Sequence, residues 1–379
     1  MQQEGWPASR VRKALAQARG QDLRFDTGAI LGSMCTQPHP VAQEAFAQFL
    51  PTNLGDPGHF PGTARLEREV LQDLLDLFHA PPGAAARYLT GGTEANLLAC
   101  YLARERTGKR RIVLPESAHF SFEKAARMLG MRLVHVPTRA TGHADVPAMA
   151  KAMTKDTALV VGVAGTTELG LVDPIDELGA VAAQRGLLLH VDAAYGGYLL
   201  PFVESAGRRP MPFDFRVDGV WSLAVDPHKG GMAPIPGGAL LVRDGGDWER
   251  VAVESPYVST EHQTTVLGTR PGAGPASCWA VHRHLGRAGY ASLAETCLDN
   301  AAYLAARLEE AGWPLAASPE LGVVTFVAPE PYRLQERLAE AGFGVNVVPR
   351  LGAIRIVVNP HVTRPALDRF LHALAGAGR

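Results

Sequence analysis

His190-Val191-Asp192-Ala193-Ala194-Tyr195-Gly196-Gly197 and, further on, Asp226-Pro227-His228-Lys229-Gly230-Gly231 decide how this chain is read. The first segment continues Leu187-Leu188-Leu189, an apolar run of the kind that forms a strand covered on both faces. Asp192 ends that run, so its carboxylate is partly buried and needs a partner. Lys229 lies in a turn between His228 and two glycines, which leaves room for a flat ring close to the backbone. Singly, Asp192 reads as a helix cap and Lys229 as a surface lysine. Together they are the pair that pyridoxal phosphate requires. The lysine holds the aldehyde as a Schiff base, and the aspartate keeps the pyridine nitrogen protonated. That charge-assisted hydrogen bond contributes roughly 1.5–3 kcal/mol. As a nucleophile Lys229 needs its pKa lowered, by burial or by a neighbouring cation.

Working outward, residues 87–90, 111–114, 132–136, 158–163, 219–224 and 239–242 are further short β-rich runs. Apolar residues at helical spacing mark 8–19, 66–78, 93–106 and 121–129 as helices. Strands alternating with helices predict an α/β domain with a mostly parallel sheet, whose chemistry gathers beyond the carboxyl ends of the strands. Gly91 to Thr93, His119, Thr166, Asp192 and Lys229 all follow predicted strands. Residues 28–63 read as a long Gly/Pro-rich loop that lines the site, with Asn53 as a candidate substrate contact. Beyond Pro275, helical patterns at 277–286, 292–311, 333–341 and 364–374 enclose β-rich runs at 323–327 and 353–358, a smaller α+β domain. The expected organisation is an N-terminal helix and loop segment (1–55), a large cofactor-binding domain (56–275) and a small C-terminal domain (276–379).

A chain of 379 residues can bury such a core. Its net charge of −1 gives no basis for nucleic-acid or membrane-surface binding. Cys35, Cys100, Cys278 and Cys297 are scattered without CxxC spacing, which suits a reducing compartment. The first seven residues lack a signal-peptide pattern, and no apolar run approaches the ~18 residues of a membrane span. A cytoplasmic protein without membrane or nucleic-acid partners is expected.

Three further features complete the candidate site. Thr90-Gly91-Gly92-Thr93-Glu94-Ala95-Asn96 is a strand–turn–helix junction, where close backbone approach and a helix N-terminus bind phosphate. Ala193 and Ala194 are small enough for a ring to lie against them. His119, in a strand-to-helix loop, could stack on the ring and take part in proton transfer. His282, His284 and His361 show no metal-ligand spacing, and no metal is expected.

In this order, these residues resemble the group II pyridoxal-phosphate-dependent decarboxylases of fold type I, the aspartate aminotransferase superfamily. The likeness covers nearly the whole chain. It is closest to the L-tyrosine/L-aspartate decarboxylase subgroup, through Gly32-Ser33-Met34-Cys35-Thr36, Asn53-Leu54-Gly55-Asp56-Pro57-Gly58, Phe60-Pro61-Gly62-Thr63, Gly91-Gly92-Thr93-Glu94-Ala95-Asn96 and Pro234-Ile235-Pro236-Gly237-Gly238. The resemblance implies that Lys229 carries the cofactor and that Asp192 pairs with the ring nitrogen. It places His119 and Ala194 on opposite ring faces, Gly92, Thr93 and His228 at the phosphate, and Thr166 near ring and substrate. Thr269, in Gly268-Thr269-Arg270, would reach a neighbour's phosphate, implying a homodimer with shared sites. Tyr257 resembles a mobile-loop tyrosine that protonates the carbanion. Arg355 falls where the superfamily often binds a substrate carboxylate, a task its bidentate fork suits. His59 stands where the pattern leads one to expect leucine. The implied reaction is decarboxylation of an acidic or aromatic L-amino acid such as aspartate or tyrosine. Retro-aldol cleavage and a non-catalytic cofactor-binding role are the alternatives.

Overall fold

The computed structural model describes residues 1–377; positions 378 and 379, the end of the expected C-terminal domain, lie outside the described residues. In chain order the first elements are α1 (Ala8–Arg19), α2 (Pro40–Phe49), α3 (Pro61–Leu77), β1 (Ala85–Leu89), α4 (Gly92–Thr107), β2 (Arg111–Pro115) and α5 (Ser121–Leu129). They continue with β3 (Arg132–Val136), α6 (Val146–Ala152), β4 (Thr157–Val163), α7 (Ile175–Gln184), β5 (Leu189–Asp192), β6 (Val220–Val225) and β7 (Gly238–Val242). These seven strands form one sheet in the order β1-β7-β6-β5-β4-β2-β3, in which β7 alone runs against its neighbours.

The unbroken apolar runs have the reason expected of them. Every residue of β4, β5, β6 and β7 is buried. Successive side chains leave opposite faces. Leu159 and Val161 join a core with Leu98, Leu102 and Trp248, while Val160 joins another with Leu74, Phe78 and Leu223. The edge strand β3 is only partly covered, consistent with its charged and polar residues.

A short hairpin of β8 (Val253–Glu254) and β9 (His262–Gln263) precedes the long α8 (Ala273–Glu310), which is broken at Gly286 (φ 55°, ψ −174°). That break explains why the sequence shows two helical patterns there. Then come β10 (Val323–Val327), α9 (Pro331–Glu340), β11 (Asn346–Val348), β12 (Ala353–Val357) and α10 (Arg364–Ala377). The three strands form an antiparallel sheet, β10-β12-β11, packed on α9, α10 and the later half of α8. Leu31 inserts into this smaller core; its N–H donates to Gly344 O (2.9 Å), and Val357 N–H donates to Leu31 O (2.6 Å).

Residues 28–63 are not one long loop. They contain α2, which starts at Pro40 behind the His39 cap and carries Val41, Ala42, Ala45, Phe46 and Phe49 at helical spacing. Flanking glycines and prolines mask this short helix in a composition-based reading. The crossover helices α6 and α7 and the edge strand β11 also lack a strong local pattern. Among the described residues no helix is long and apolar enough to cross a membrane.

Candidate active site

Asp192 closes β5 and is buried beside β4 and β6. Its Oδ1 accepts the Ala194 N–H (3.1 Å), and its Oδ2 accepts from Asn96 Nδ2 (2.8 Å) in the first turns of α4. The same amide donates to Ser121 Oγ (2.9 Å), and Asn96 Oδ1 lies 3.0 Å from His190 Nε2. His190 Nδ1 in turn lies 2.8 Å from Ser222 Oγ on β6. Burial pushes the His190 pKa down to about 4, against the opposing pull of Asp192. The imidazole is therefore neutral at physiological pH. Asn96, Ser121, His190 and Ser222 were not singled out for roles in the sequence; Asn96 was legible only as the last residue of the phosphate motif.

Lys229 follows β6 on the same sheet edge. Its Nζ lies 3.0 Å from Asp226 Oδ2, and His228 Nε2 lies 3.6 Å from that oxygen. Burial lowers the lysine pKa, but the charges of Asp226 and Asp192 outweigh it and hold the ammonium above its ordinary value. The expected lowering is thus reversed: the turn presents a carboxylate to Lys229 where activation needs a cation or dry surroundings. Burial lowers the His228 pKa.

The residues around this turn fit pyridoxal phosphate. Among the described residues, Asp226 Oδ1 and His228 Nδ1 are buried without a hydrogen-bond partner, an arrangement that costs about 1–3 kcal/mol per group and calls for a polar ligand or water. Gly91 and Gly92 open α4 beside them, and the first-turn N–H groups of a helix lack helical acceptors. A Cβ on Gly92 would stand 3.0 Å from Ala194 Cβ and 3.1 Å from Asp226 Oδ2. One on Gly238 would stand 2.4 Å from Gly91 Cα. The cradle is therefore kept open by close backbone approach.

His119 and Thr166 come from the ends of β2 and β4. His119 is half-buried; its Nδ1 accepts the Ser121 N–H (3.2 Å), which leaves the proton on Nε2. Burial lowers its pKa, and Asp192, Lys229 and Asp226 all lie close enough to act on it electrostatically. Thr166 is buried, its Oγ1 accepting the Leu171 N–H (3.1 Å).

The profile of the pyridoxal-dependent decarboxylase conserved domain matches residues 41–328. The chain belongs to that family. This decarboxylase is 43% identical over 358 residues to a probable L-tyrosine/L-aspartate decarboxylase of Methanothermobacter thermautotrophicus, a match covering 93% of this chain and 98% of the relative. It is 43% identical over 366 residues to the protein of the same description from Methanopyrus kandleri (94% and 98% covered). Its fold superposes on a sphingosine-1-phosphate lyase of Burkholderia pseudomallei (TM-score 0.92, 26% identity, 100% and 92% covered). It also superposes on the glutamate decarboxylase of Lactobacillus brevis (TM-score 0.90, 22% identity, 100% and 93% covered). The enzyme is a pyridoxal-phosphate-dependent amino acid decarboxylase with the mostly parallel sheet of fold type I.

The remaining candidates of the decarboxylase are dispersed. Arg355, on β12, is buried and donates Nη1 to Thr167 O (2.9 Å) and Nη2 to Gly32 O (2.7 Å), while its Nε has no partner among the described residues. Burial lowers its pKa, and Tyr195 and Glu168 act against that. Asn53 Oδ1 accepts from Gly55 N (2.7 Å) and Arg270 N (3.2 Å), so its carbonyl is used in holding the loop. Thr93 is exposed at the start of α4, and Thr269 is exposed beside Arg270, which is anchored on Glu67. His59 is exposed, 3.4 Å from Asp56. Tyr257 is 88% exposed in the 255–260 loop and is not brought to this chain's own Lys229.

Proposed function

We propose that this enzyme decarboxylates an acidic L-amino acid, with L-aspartate the first candidate. The carrying observation is Arg355: a buried guanidinium with carbonyl partners and a free Nε, beside the Thr166-Thr167 turn. A carboxylate that leaves as CO₂ loses its charge in the transition state, so an arginine clamped on it would stabilise the ground state instead. Arg355 is better used on the side-chain carboxylate. The names of the relatives give aspartate and tyrosine alike, so tyrosine is the competitor.

In this reading Lys229 holds the cofactor covalently, with Gly92, Thr93 and His228 at its phosphate and Ala194 against its ring. The bound cofactor supplies the sink for the electron pair left at Cα. Asp192 keeps a proton on the ring nitrogen. His119 Nε2 carries a proton and is the in-chain candidate to deliver it to Cα. Tyr257 is the alternative donor, from a second copy of the chain. Exposed Tyr257, Val266, Leu267 and Thr269, together with α1, which buries none of its residues, support a homodimer with shared sites. Four unpaired cysteines favour a cytoplasmic location.

The test is CO₂ release from L-aspartate, L-glutamate and L-tyrosine by the loaded enzyme and by Arg355→Met. Release from aspartate, with KM raised at least about tenfold in the variant, supports the assignment. Preference for tyrosine, indifferent to Arg355, refutes it.

A further inference from the structure

We propose that Asn96 and His190 are positioning residues that aim and hold Asp192 for the ring nitrogen, through a relay running Ser222–His190–Asn96–Asp192. The inference rests on the pyridoxal-phosphate assignment and concerns groups that act through Asp192.

The relay is closed on itself. Asn96, Ser121, His190 and Ser222 are almost fully buried, so each polar atom must find its partner within the protein. Asp192 is acceptor-only when ionised, so the Asn96 atom 2.8 Å from it must be the amide nitrogen. Asn96 then presents its carbonyl to His190, whose Nε2 must carry the proton. Nδ1 is thereby the acceptor, and Ser222 donates to it. One arrangement satisfies every member, and it leaves two fixed donors on the carboxylate, Asn96 Nδ2 on Oδ2 and Ala194 N on Oδ1.

Turning the Asn96 amide over would set two acceptors against each other at 2.8 Å. His190 prevents that, because with its proton on Nε2 it can only donate to Asn96. The low pKa of the buried imidazole keeps it neutral, and its two partners select the tautomer. Neutral dipoles orient a carboxylate without the full charge that would weaken its hold on a shared proton. An arginine in the place of Asn96 would weaken that hold.

The relay also reaches His119. Ser121 accepts from Asn96 with its hydroxyl and donates its backbone N–H to His119 Nδ1. The Asn96 side chain thus ties α4 to α5 and β5, and His190 carries the relay on to β6. Asn96 also stands one turn from Gly92, so it joins the phosphate end of the cradle to its nitrogen end.

The experiment uses the full-length enzyme reconstituted with ¹⁵N-labelled pyridoxal phosphate, comparing unmodified protein with Asn96→Leu, His190→Leu and His190→Gln. The readouts are the ¹⁵N shift of the ring nitrogen, cofactor Kd and kcat. Asn96→Leu and His190→Leu are expected to move the resonance toward the unprotonated value and to lower kcat on the order of 10²-fold. Cofactor Kd, dominated by phosphate and lysine, should change less than about tenfold. His190→Gln keeps an N–H donor for Asn96 and should restore most of the shift. An unmoved resonance in folded Asn96→Leu and His190→Leu overturns the proposal, as does a His190→Gln no better than His190→Leu. If the leucine variants do not fold, Asn96→Ser and Ser222→Ala decide by the same shift. Unmodified protein that binds no cofactor would overturn the pyridoxal-phosphate assignment of this site as well, a result distinguishable from a bound cofactor with an unmoved nitrogen.

Discussion

The two ends of the cofactor cradle are built on opposite terms. At the Asp192 end, Asn96, His190, Ser121 and Ser222 pair with one another and the carboxylate accepts two hydrogen bonds. At the Lys229 end, Asp226 Oδ1 and His228 Nδ1 are buried without partners, and Lys229 rests on Asp226. The first end is preorganised by the protein alone. At the second, the charges of Asp226 and Asp192 hold the lysine as an ammonium. Preorganisation is cheapest where the protein must fix a dipole, and adaptability is needed where a covalent bond is exchanged.

The largest effect should come from the adaptable end. Lys229→Ala is expected to abolish covalent cofactor attachment, seen by mass after borohydride reduction, and to lower CO₂ release by more than about 10³-fold. Retained activity would remove Lys229 from the centre of the reading. At the preorganised end, Asp192→Asn should cost on the order of 10²–10³ in kcat while the cofactor still attaches. If instead it prevents attachment, the two ends are not separable.

The third prediction concerns stability. The folded His190 pKa of about 4 lies below the ordinary 6.5, so the unfolded chain binds the extra proton first as pH falls. Stability from keeping His190 neutral is intact above about pH 6.5 and is lost progressively toward pH 4, by at most about 3 kcal/mol. Denaturant titrations at both pH values should show a smaller acid loss for His190→Gln than for unmodified protein. An equal loss would assign the acid sensitivity elsewhere.

The smallest effect should be a shift along the pH axis. Asp226 raises the Lys229 pKa, so Asp226→Asn lets burial prevail. The pH profile for cofactor capture by apoenzyme should then move down by roughly one unit. No shift would mean that Asp192 alone holds the ammonium.

Part of the site was legible because it is local. An apolar run ending in Asp192, a turn lysine and a Gly-Gly-Thr helix start are patterns within a few residues, and the structure sets them on one sheet edge. The helix α2 was missed because ten residues between glycines and prolines carry a weak periodic signal. Tyr257 and Thr269 looked like site residues by motif, yet both stand in solvent in the single chain. Whether they serve a site is decided by what packs on that face.

The sequence by itself determined the α/β alternation and the family, and it put Asp192 and Lys229 forward as candidates, because strand burial and turn geometry are written in adjacent residues. Only the tertiary structure decided that Asn96 would meet His190, 94 residues away, and that Ser222 would orient it. It also decided that Asp226 would hold Lys229 charged. Such contacts follow from the order in which strands pair across the sheet, which no local pattern specifies.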